Sequence, residues 1–307
     1  MKSPTSSLLC LVAFAFAFLV SGYGASHLYG ANGWQNVEYA TPAQSVDLGI
    51  RVVSGVAEDG TVTTTAIGRA DDADFMAAYP AAKPLYFATG NLFVDSVGNA
   101  RIGAPAETAK FTFRQERNEE NELYTVQRVS NRERDLFGWT DTTGWKTSTE
   151  LEDYPSATPS IYISGNDKYD IARAKLGEGW RLPTIEEWVF LVEHVTKGVT
   201  IDMPWSSSRG NGSFGNHALW REDSPIGITL VSEVAGFTGK SIFLPAVGYR
   251  YGNTFHGKGA VGHYWSGTRY VSEHTSSISH HFSFNSNDWS LINSIRYYGY
   301  AVRPVFE

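Results

Sequence analysis

Beyond its first ten residues the chain contains no cysteine; the one it has, Cys10, lies inside an apolar run at the N-terminal end. If that run is removed, the mature chain cannot form a disulfide, hold a metal through thiolate or use a cysteine nucleophile. Clustered lysine and arginine are also missing, and the formal net charge is −7, which argues against a nucleic-acid surface. No G-x-S-x-G elbow occurs, so the usual serine-hydrolase placement of a nucleophile is absent. No histidine pair has H-x-H or helical i, i+4 spacing, and no carboxylate pair stands out. These absences leave no catalytic residue, no metal ligand set and no cofactor to expect.

What the N-terminal segment does contain is an address. Lys2 is followed by an apolar stretch at 8–20 and then by Ser21, Gly22, Gly24 and Ala25. A basic start, a short apolar core and a small-residue exit form a secretory signal peptide. The core is short for a bilayer span, and an uncleaved anchor is the alternative. Cys10 follows Ser7, Leu8 and Leu9 rather than closing the apolar core, so it does not fit a lipoprotein signal. The expected organisation is a signal peptide at 1–24, an arm at 25–45 and a single domain at 46–307. The product is extracytoplasmic, secreted or on the cell surface, with no membrane span after processing. About 280 residues then remain, enough to bury a core without staples.

Strands are expected at 45–53, 60–65, 85–92, 111–113 and 123–129, with a charged loop over 114–122. One helix is expected at 168–176, capped by Asn166 or Asp167 and stopped by Gly177. A second starts at a capping box, Thr184 with Glu187. Its apolar face is Trp188, Leu191, Val192 and Val195, at i, i+3, i+4 and i+7, with Gly198 as its stop. No helix is expected afterwards. A buried strand is read at 241–247, a Gly-rich hairpin region at 249–264 and a last strand at 300–306. Residues 277–285 alternate, with Ile278, His280, Phe282 and Phe284 on one side and Ser279, His281, Ser283 and Asn285 on the other. The apolar set should face the core, and His281, Ser283 and Asn285 should face solvent. Two main helices with short antiparallel strands and much irregular loop give an α+β class.

Residues 257–262 spell the dinucleotide fingerprint G-x-G-x-x-G, but His263-Tyr264-Trp265-Ser266 cannot open the helix that motif requires, so a hairpin loop is the reading. His256, His263, His274, His280 and His281 cluster in sequence, yet His280 and His281 point to opposite faces of a strand, which favours stacking or solvated roles over metal binding. Asn285-Ser286-Asn287-Asp288 carries oxygens suited to Ca²⁺ but lacks the EF-hand glycine and glutamate; an Asx turn is the simpler assignment. Residues 270–300 are dense in Ser, Asn, His, Tyr and Asp, the mixture that antibody paratopes use.

Several segments together carry a resemblance: Asp135-Leu136-Phe137-Gly138-Trp139, Tyr169-Asp170-Ile171-Ala172-Arg173, and Gly179-Trp180-Arg181-Leu182-Pro183-Thr184 running to Trp188. They continue with Phe243-Leu244-Pro245-Ala246-Val247-Gly248, Gly262-His263-Tyr264-Trp265-Ser266-Gly267 and Ala301-Val302-Arg303-Pro304-Val305. In order and spacing they resemble the Fibrobacter succinogenes major paralogous domain, common on surface proteins of gut Bacteroides-type bacteria. The resemblance covers roughly residue 85 to the end. It implies a C-type-lectin-like fold, in the branch that includes the formylglycine-generating enzyme. That enzyme's cysteines are absent here, as are the calcium-lectin signatures E-P-N and W-N-D.

Some members of this fold are variable proteins of diversity-generating retroelements, and residues 265–300 resemble their mutagenised ligand-display segment. On that resemblance Trp180, Arg181, Pro183, Trp188 and Arg303 are scaffold. The expected contact set is Tyr270, Ser272, His274, Ser276, Ser279, His281, Ser283, Asn285, Asp288, Trp289, Ser290, Ile292, Ser294, Tyr297, Tyr298 and Tyr300. Tyr270, Trp289, Tyr297 and Tyr300 should converge on a shallow polar-aromatic face. The leading expectation is an exported, adhesin-like, non-catalytic binder of an unknown protein or glycan. An envelope glycan hydrolase using Glu273 and Asp288, and a passive subunit of a surface fibre, are the alternatives.

Overall fold

The computed structural model describes residues 44–109, 111–117, 123–129, 133–155, 161–196, 200–201, 211–213, 220–221, 226–271 and 277–307. The expected signal peptide, nearly all of the expected arm and the expected Gly198 stop lie outside them.

In chain order the strands are β1 (Ser45–Val56), β2 (Val62–Arg69), β3 (Lys83–Ala88), β4 (Leu92–Asp95), β5 (Ala100–Ile102), β6 (Phe111–Arg117) and β7 (Leu123–Val129). Then come β8 (Glu133–Arg134), β9 (Trp180–Arg181), β10 (Thr200–Ile201), β11 (Asn211–Ser213), β12 (Trp220–Arg221) and β13 (Gly227–Val231). The chain ends with β14 (Ser241–Pro245), β15 (Tyr249–Tyr251), β16 (Thr254–His256), β17 (Gly262–Arg269), β18 (Ile278–Phe284), β19 (Asp288–Ile295) and β20 (Val305–Phe306). The helices are α1 (Ala73–Ala78), α2 (Ile171–Leu176) and α3 (Ile185–Phe190), the last passing into a π turn over Leu191–Val195. Strand occupies 43% and helix 13%, so the expected α+β class is replaced by a mainly antiparallel β architecture.

Two five-stranded sheets organise it. One runs β2-β1-β3-β20-β9 and joins the first and last strands through β3. The other runs β10-β11-β19-β18-β17, and smaller sheets pair β12-β13-β14, β5-β4-β8, β6-β7 and β15-β16. The β6-β7 ladder extends from Phe111↔Val129 to Arg117↔Leu123, so residues 114–117, expected in a loop, are strand. Each charged residue there still completes a backbone ladder, which composition alone does not reveal. The last strand is also shorter than expected: Tyr300 makes an isolated bridge to Phe137 and Ala301 one to Tyr264, while β20 proper is Val305–Phe306.

The helix starts follow from carboxylates and hydroxyls. α2 begins later than position 168 because Asp170 is its cap, taking the N–H groups of Ala172 (2.8 Å) and Arg173 (3.3 Å). Asn166 instead closes a turn on the Lys168 N–H, at 3.0 Å. α1, not anticipated, is capped by Asp72 and buries no residue, so no apolar stripe announces it. The α3 capping box forms as expected: Thr184 Oγ1 accepts from the Glu187 N–H at 3.3 Å, and Glu187 Oε2 accepts from the Thr184 N–H at 2.9 Å.

Trp188 is fully buried and stacks on Phe282 with ring centroids 5.1 Å apart and planes 17° apart; Phe87 and Tyr264 close its sides. It anchors one core, with Leu48, Ile50, Leu85, Leu230, Leu244, Phe284, Trp289 and Leu291. A second core gathers Leu92, Phe137, Trp139, Ile171, Leu176, Trp180, Trp265, Tyr300 and Val302. The β17-β18-β19 ribbon lies between the two.

Two of the segments that carry the resemblance, those containing Arg181 and Val305, are direct neighbours. Val305 of β20 pairs with Arg181 of β9, and Phe306 with Trp180. Arg303 is buried and donates to the carbonyls of Ala88 (3.2 Å) and Phe243 (2.7 Å), fastening the sheet containing β3 to β14.

Candidate functional site

Register decides which residues of the expected display segment can meet a ligand. Phe282 pairs with Leu291 and Tyr264, and Phe284 with Trp289, and these side chains fill the first core as expected for the phenylalanines. The opposite face carries Ser279↔Ser294, His281↔Ile292 and Ser283↔Ser290, with Trp265↔His281 and His263↔Ser283 on the adjoining strand. That face is covered as well. Trp265 and Tyr300 of the second core sit on it, and His281 is 0% exposed. The expectation that His281 and Ser283 face solvent is therefore wrong: alternation identifies two faces but not whether the second one is wet.

The expected contact residues separate accordingly. Ser279, His281, Ser283, Trp289 and Tyr300 are buried, with Trp289 at 1% and Tyr300 at 4% exposure, so the expected convergence of Trp289 and Tyr300 on an open face does not occur. Ser294 is half-buried and accepts from the Tyr300 hydroxyl at 2.8 Å. Tyr270 is half-buried, edge-on to His280 at 5.3 Å. Ser290 and Ile292 are half-buried, and so is Asn285, whose Oδ1 accepts from the N–H groups of Asn287 (2.7 Å) and Asp288 (2.9 Å), the Asx turn read from the sequence. Asp288 is exposed on that turn. Tyr297 and Tyr298 lie at the other end of β19, about 20 Å away for a strand of this length. Ser272, His274 and Ser276, with the Glu273 of the hydrolase alternative, lie outside the described residues.

A different set of aromatics does converge. Tyr251 ends β15 and is 43% exposed. Its ring centroid lies 5.7 Å from Tyr297 and 5.5 Å from Tyr298, and the latter two are 5.4 Å apart. Three phenol rings thus touch mutually at one end of the second core. Tyr249 supports them from behind, edge-on to Tyr298 at 5.8 Å and stacked on His256 at 5.1 Å.

Two chain segments, 249–251 and 297–299, are brought together by Arg250. Its N–H donates to the Gly299 carbonyl (2.9 Å), and the Gly299 N–H donates back to the Arg250 carbonyl (2.8 Å). The guanidinium, 1% exposed, runs under Gly299 and donates from Nη1 to the Gly252 carbonyl at 2.8 Å. A Cβ on residue 299 would stand 2.7 Å from Arg250 Nε, so only glycine admits this crossing. Burial is the main reason the Tyr297 phenol is raised above its ordinary value; the Tyr251 and Tyr298 phenols and the Glu150 carboxylate add to it, so the hydroxyl stays protonated. Tyr249, Arg250 and Tyr251 fell outside the expected set. Their signal was the Tyr-Arg-Tyr-Gly run, an echo of Tyr-Tyr-Gly-Tyr at 297–300.

Beneath the rings the aromatic column continues inward. Tyr298 stacks on Tyr300, Tyr300 on His263 at 4.8 Å, and His263 Nδ1 lies 3.2 Å from His281 Nε2. One proton is shared across that contact, so one ring donates and the other accepts. Burial holds His263 down at about 4 and His281 well below its ordinary value, the latter helped by its histidine neighbours. Among the described residues no group of three or more His, Cys, Asp or Glu is arranged to hold a metal.

A separate depression lined by Lys83, Arg173, Glu178, Trp180, Arg181 and Glu307 has charges that are largely committed: Arg181 to Glu187 and Glu307, and Arg173 to Asp167. No helix of the described residues is long and apolar enough to cross a membrane. Compared with known proteins, the chain matches no family profile, no curated protein and no solved structure.

Proposed function

We propose that this chain is an exported, adhesin-like binding protein without catalytic activity, built on a C-type-lectin-like scaffold, and that its ligand contacts centre on Tyr251, Tyr297 and Tyr298. The observation that carries the reading is the mutual contact of three partly exposed phenol rings on a clamp that leaves them little freedom. Tyrosine supplies large contact area with few rotatable bonds and a polar tip. Rings already fixed before binding lose little entropy when a ligand arrives. Such a partly exposed face suits recognition better than chemistry that must exclude water. Asp288, one of the two carboxylates of the hydrolase alternative, stands exposed on the β18–β19 turn. The lectin-like scaffold is supported by the pairing of Val305 with Arg181, which brings together two of the segments that carry the resemblance, and export by the Lys2 and 8–20 pattern.

The test is surface binding. Fluorescently labelled mature protein is applied to host and bacterial cells and read by flow cytometry. The combined change Tyr251→Ala, Tyr297→Ala and Tyr298→Ala should abolish labelling, at least a thirtyfold loss for a hot spot of this composition, while leaving the circular dichroism spectrum unchanged. Labelling equal to wild type would refute the site. The same reading proposes that residues 265–300 vary between strains only where side chains reach the surface. Sequences of this locus from sister strains should vary at Tyr297, Tyr298 or Asp288; variation concentrated at His281 and Tyr300 would overturn it.

A further inference from the structure

We propose that the tyrosine triangle is a carbohydrate subsite that takes a neutral pyranose, its C–H face against Tyr251 and its hydroxyls at the phenol rim. This deepens the binding reading above and rests on it. The three rings are inclined to one another by 60°, 41° and 38°, so they present ring surfaces and edges at several angles rather than a flat wall. A pyranose is close to a phenol ring in width, and its axial C–H bonds give it an apolar face with hydroxyls around the edge. The exposed Tyr251 ring, with Tyr297 and Tyr298 against it, offers the complement: aromatic surface together with phenol hydroxyls, a group that can both donate and accept.

The charge pattern selects among sugars and against most peptides. Arg250 and Arg296, which adjoin these tyrosines in the chain, are 1% and 4% exposed, so burial keeps both guanidinium groups from a carboxylate or sulfate on a ligand. The Glu150 carboxylate, exposed and close enough to help raise the Tyr297 phenol, is an acceptor that suits sugar hydroxyls and repels an anionic glycan. The 147–149 backbone comes up beside the hairpin tip: a Cβ at Gly252 would lie 3.9 Å from the Thr147 carbonyl oxygen and 3.6 Å from Thr149 Cγ2. Asn253 and Thr254, exposed on the same tip, add amide and hydroxyl groups. A folded protein partner needs roughly 20–30 residues on each side of a standard interface, whereas three rings and a hairpin tip match one or two sugar units.

The experiment is saturation-transfer difference NMR on the mature protein, irradiating its aromatic protons. The probes are neutral hexasaccharides of glucose, mannose and galactose, with sialyllactose and a heparin hexasaccharide alongside. At least one neutral probe should receive saturation on its ring C–H protons. Tyr251→Ala should weaken that probe's binding at least tenfold, and Tyr251→Phe, which keeps the ring, several-fold less. Because Tyr251 is exposed, both variants should melt with the wild type, and the melt checks this. A stronger signal from either anionic probe overturns the neutral-sugar assignment. No transfer from any probe, with tyrosine-dependent cell labelling that protease removes, means a protein ligand: the carbohydrate proposal falls and the binding reading stands. If cell labelling too is indifferent to the tyrosines, both fall.

Discussion

Replacing Glu187 should damage this fold more than replacing any surface acid, and the size of the effect follows from its contacts. Its carboxylate receives Arg181 Nη1 at 2.8 Å and Nη2 at 2.7 Å, a bidentate pair whose side chains are 2% and 0% exposed. It also receives the Thr64 hydroxyl at 2.7 Å and the Thr184 N–H at 2.9 Å. One side chain therefore closes the α3 cap, ties α3 to β2 and neutralises a buried guanidinium in β9. Glu187→Ala leaves that guanidinium with one carboxylate, Glu307, 3.1 Å away, and the neutral acceptors Ser164 Oγ (3.2 Å) and the Leu182 carbonyl (3.3 Å). Breaking a buried pair from one side costs about 3–5 kcal/mol, and losing the cap adds about 1. For a domain of this size each kcal/mol lowers the melting temperature by roughly 2–4 °C. Melting followed by far-ultraviolet circular dichroism at pH 7 should thus fall by at least about 8 °C. Glu187→Gln keeps the shape and the acceptor for Thr184 but not the charge, and should lose about half as much. If Glu187→Ala melts within about 2 °C of wild type, the ion pair is not holding these elements together and the reasoning fails.

Other outcomes follow from the same structure. Trp188→Ala empties the contact with Phe282, Phe87 and Tyr264; it should cost about 3–5 kcal/mol, and an unchanged melt would show that the ring is not core. His263, held at about 4 by burial against about 6.5 unfolded, favours its neutral form in the fold. The unfolded chain then binds more protons between those values, so this histidine's contribution, roughly 3 kcal/mol, is full above pH 6.5 and is lost as pH falls toward 4. Asp135 and Asp170, pushed up to about 6 by burial, act in the opposite sense over an overlapping range. The clean assay is therefore the imidazole NMR titration: no His263 shift change above about pH 5 is expected, and a midpoint near 6.5 would contradict the buried pair. Mass spectrometry of the secreted protein should find its first residue at Tyr23 or Ala25 without lipid; a diacylated Cys10 would refute the unlipidated export route.

What the sequence made legible was local. Thr184 and Glu187 lie three residues apart and satisfy each other, so the capping box could be read from two letters and its apolar face from the next eight. Asn285 could be read as an Asx turn for the same reason. The failures were non-local. His281 alternates with Phe282 as a solvent-facing residue should, but Tyr300 and Trp265 return from elsewhere to cover it. The α2 start was misplaced because Asp170, read as part of the helix, is recruited by the N–H groups of Gly165 and Leu182 as well as by its own first turn. Half of the tyrosine face lay in plain view within 297–298. The rest, Tyr251 with Tyr249 supporting it from behind, needed the Arg250–Gly299 crossing, which no spacing along the chain encodes.

Hydroxyl-radical footprinting on cells tests the face most directly, because the protein carries its own control. Tyr251 is 43% exposed and Tyr79, the residue that caps the C-terminal end of α1, is 41% exposed, so in free protein the two should oxidise at nearly equal rates. When the protein is bound to a cell surface that it labels, Tyr251 should be protected severalfold, with Tyr297 and Tyr298, while Tyr79 keeps its free rate. Equal rates at Tyr251 and Tyr79 on the cell, or protection of Tyr79 alone, would contradict the assignment of the tyrosine triangle as the binding face.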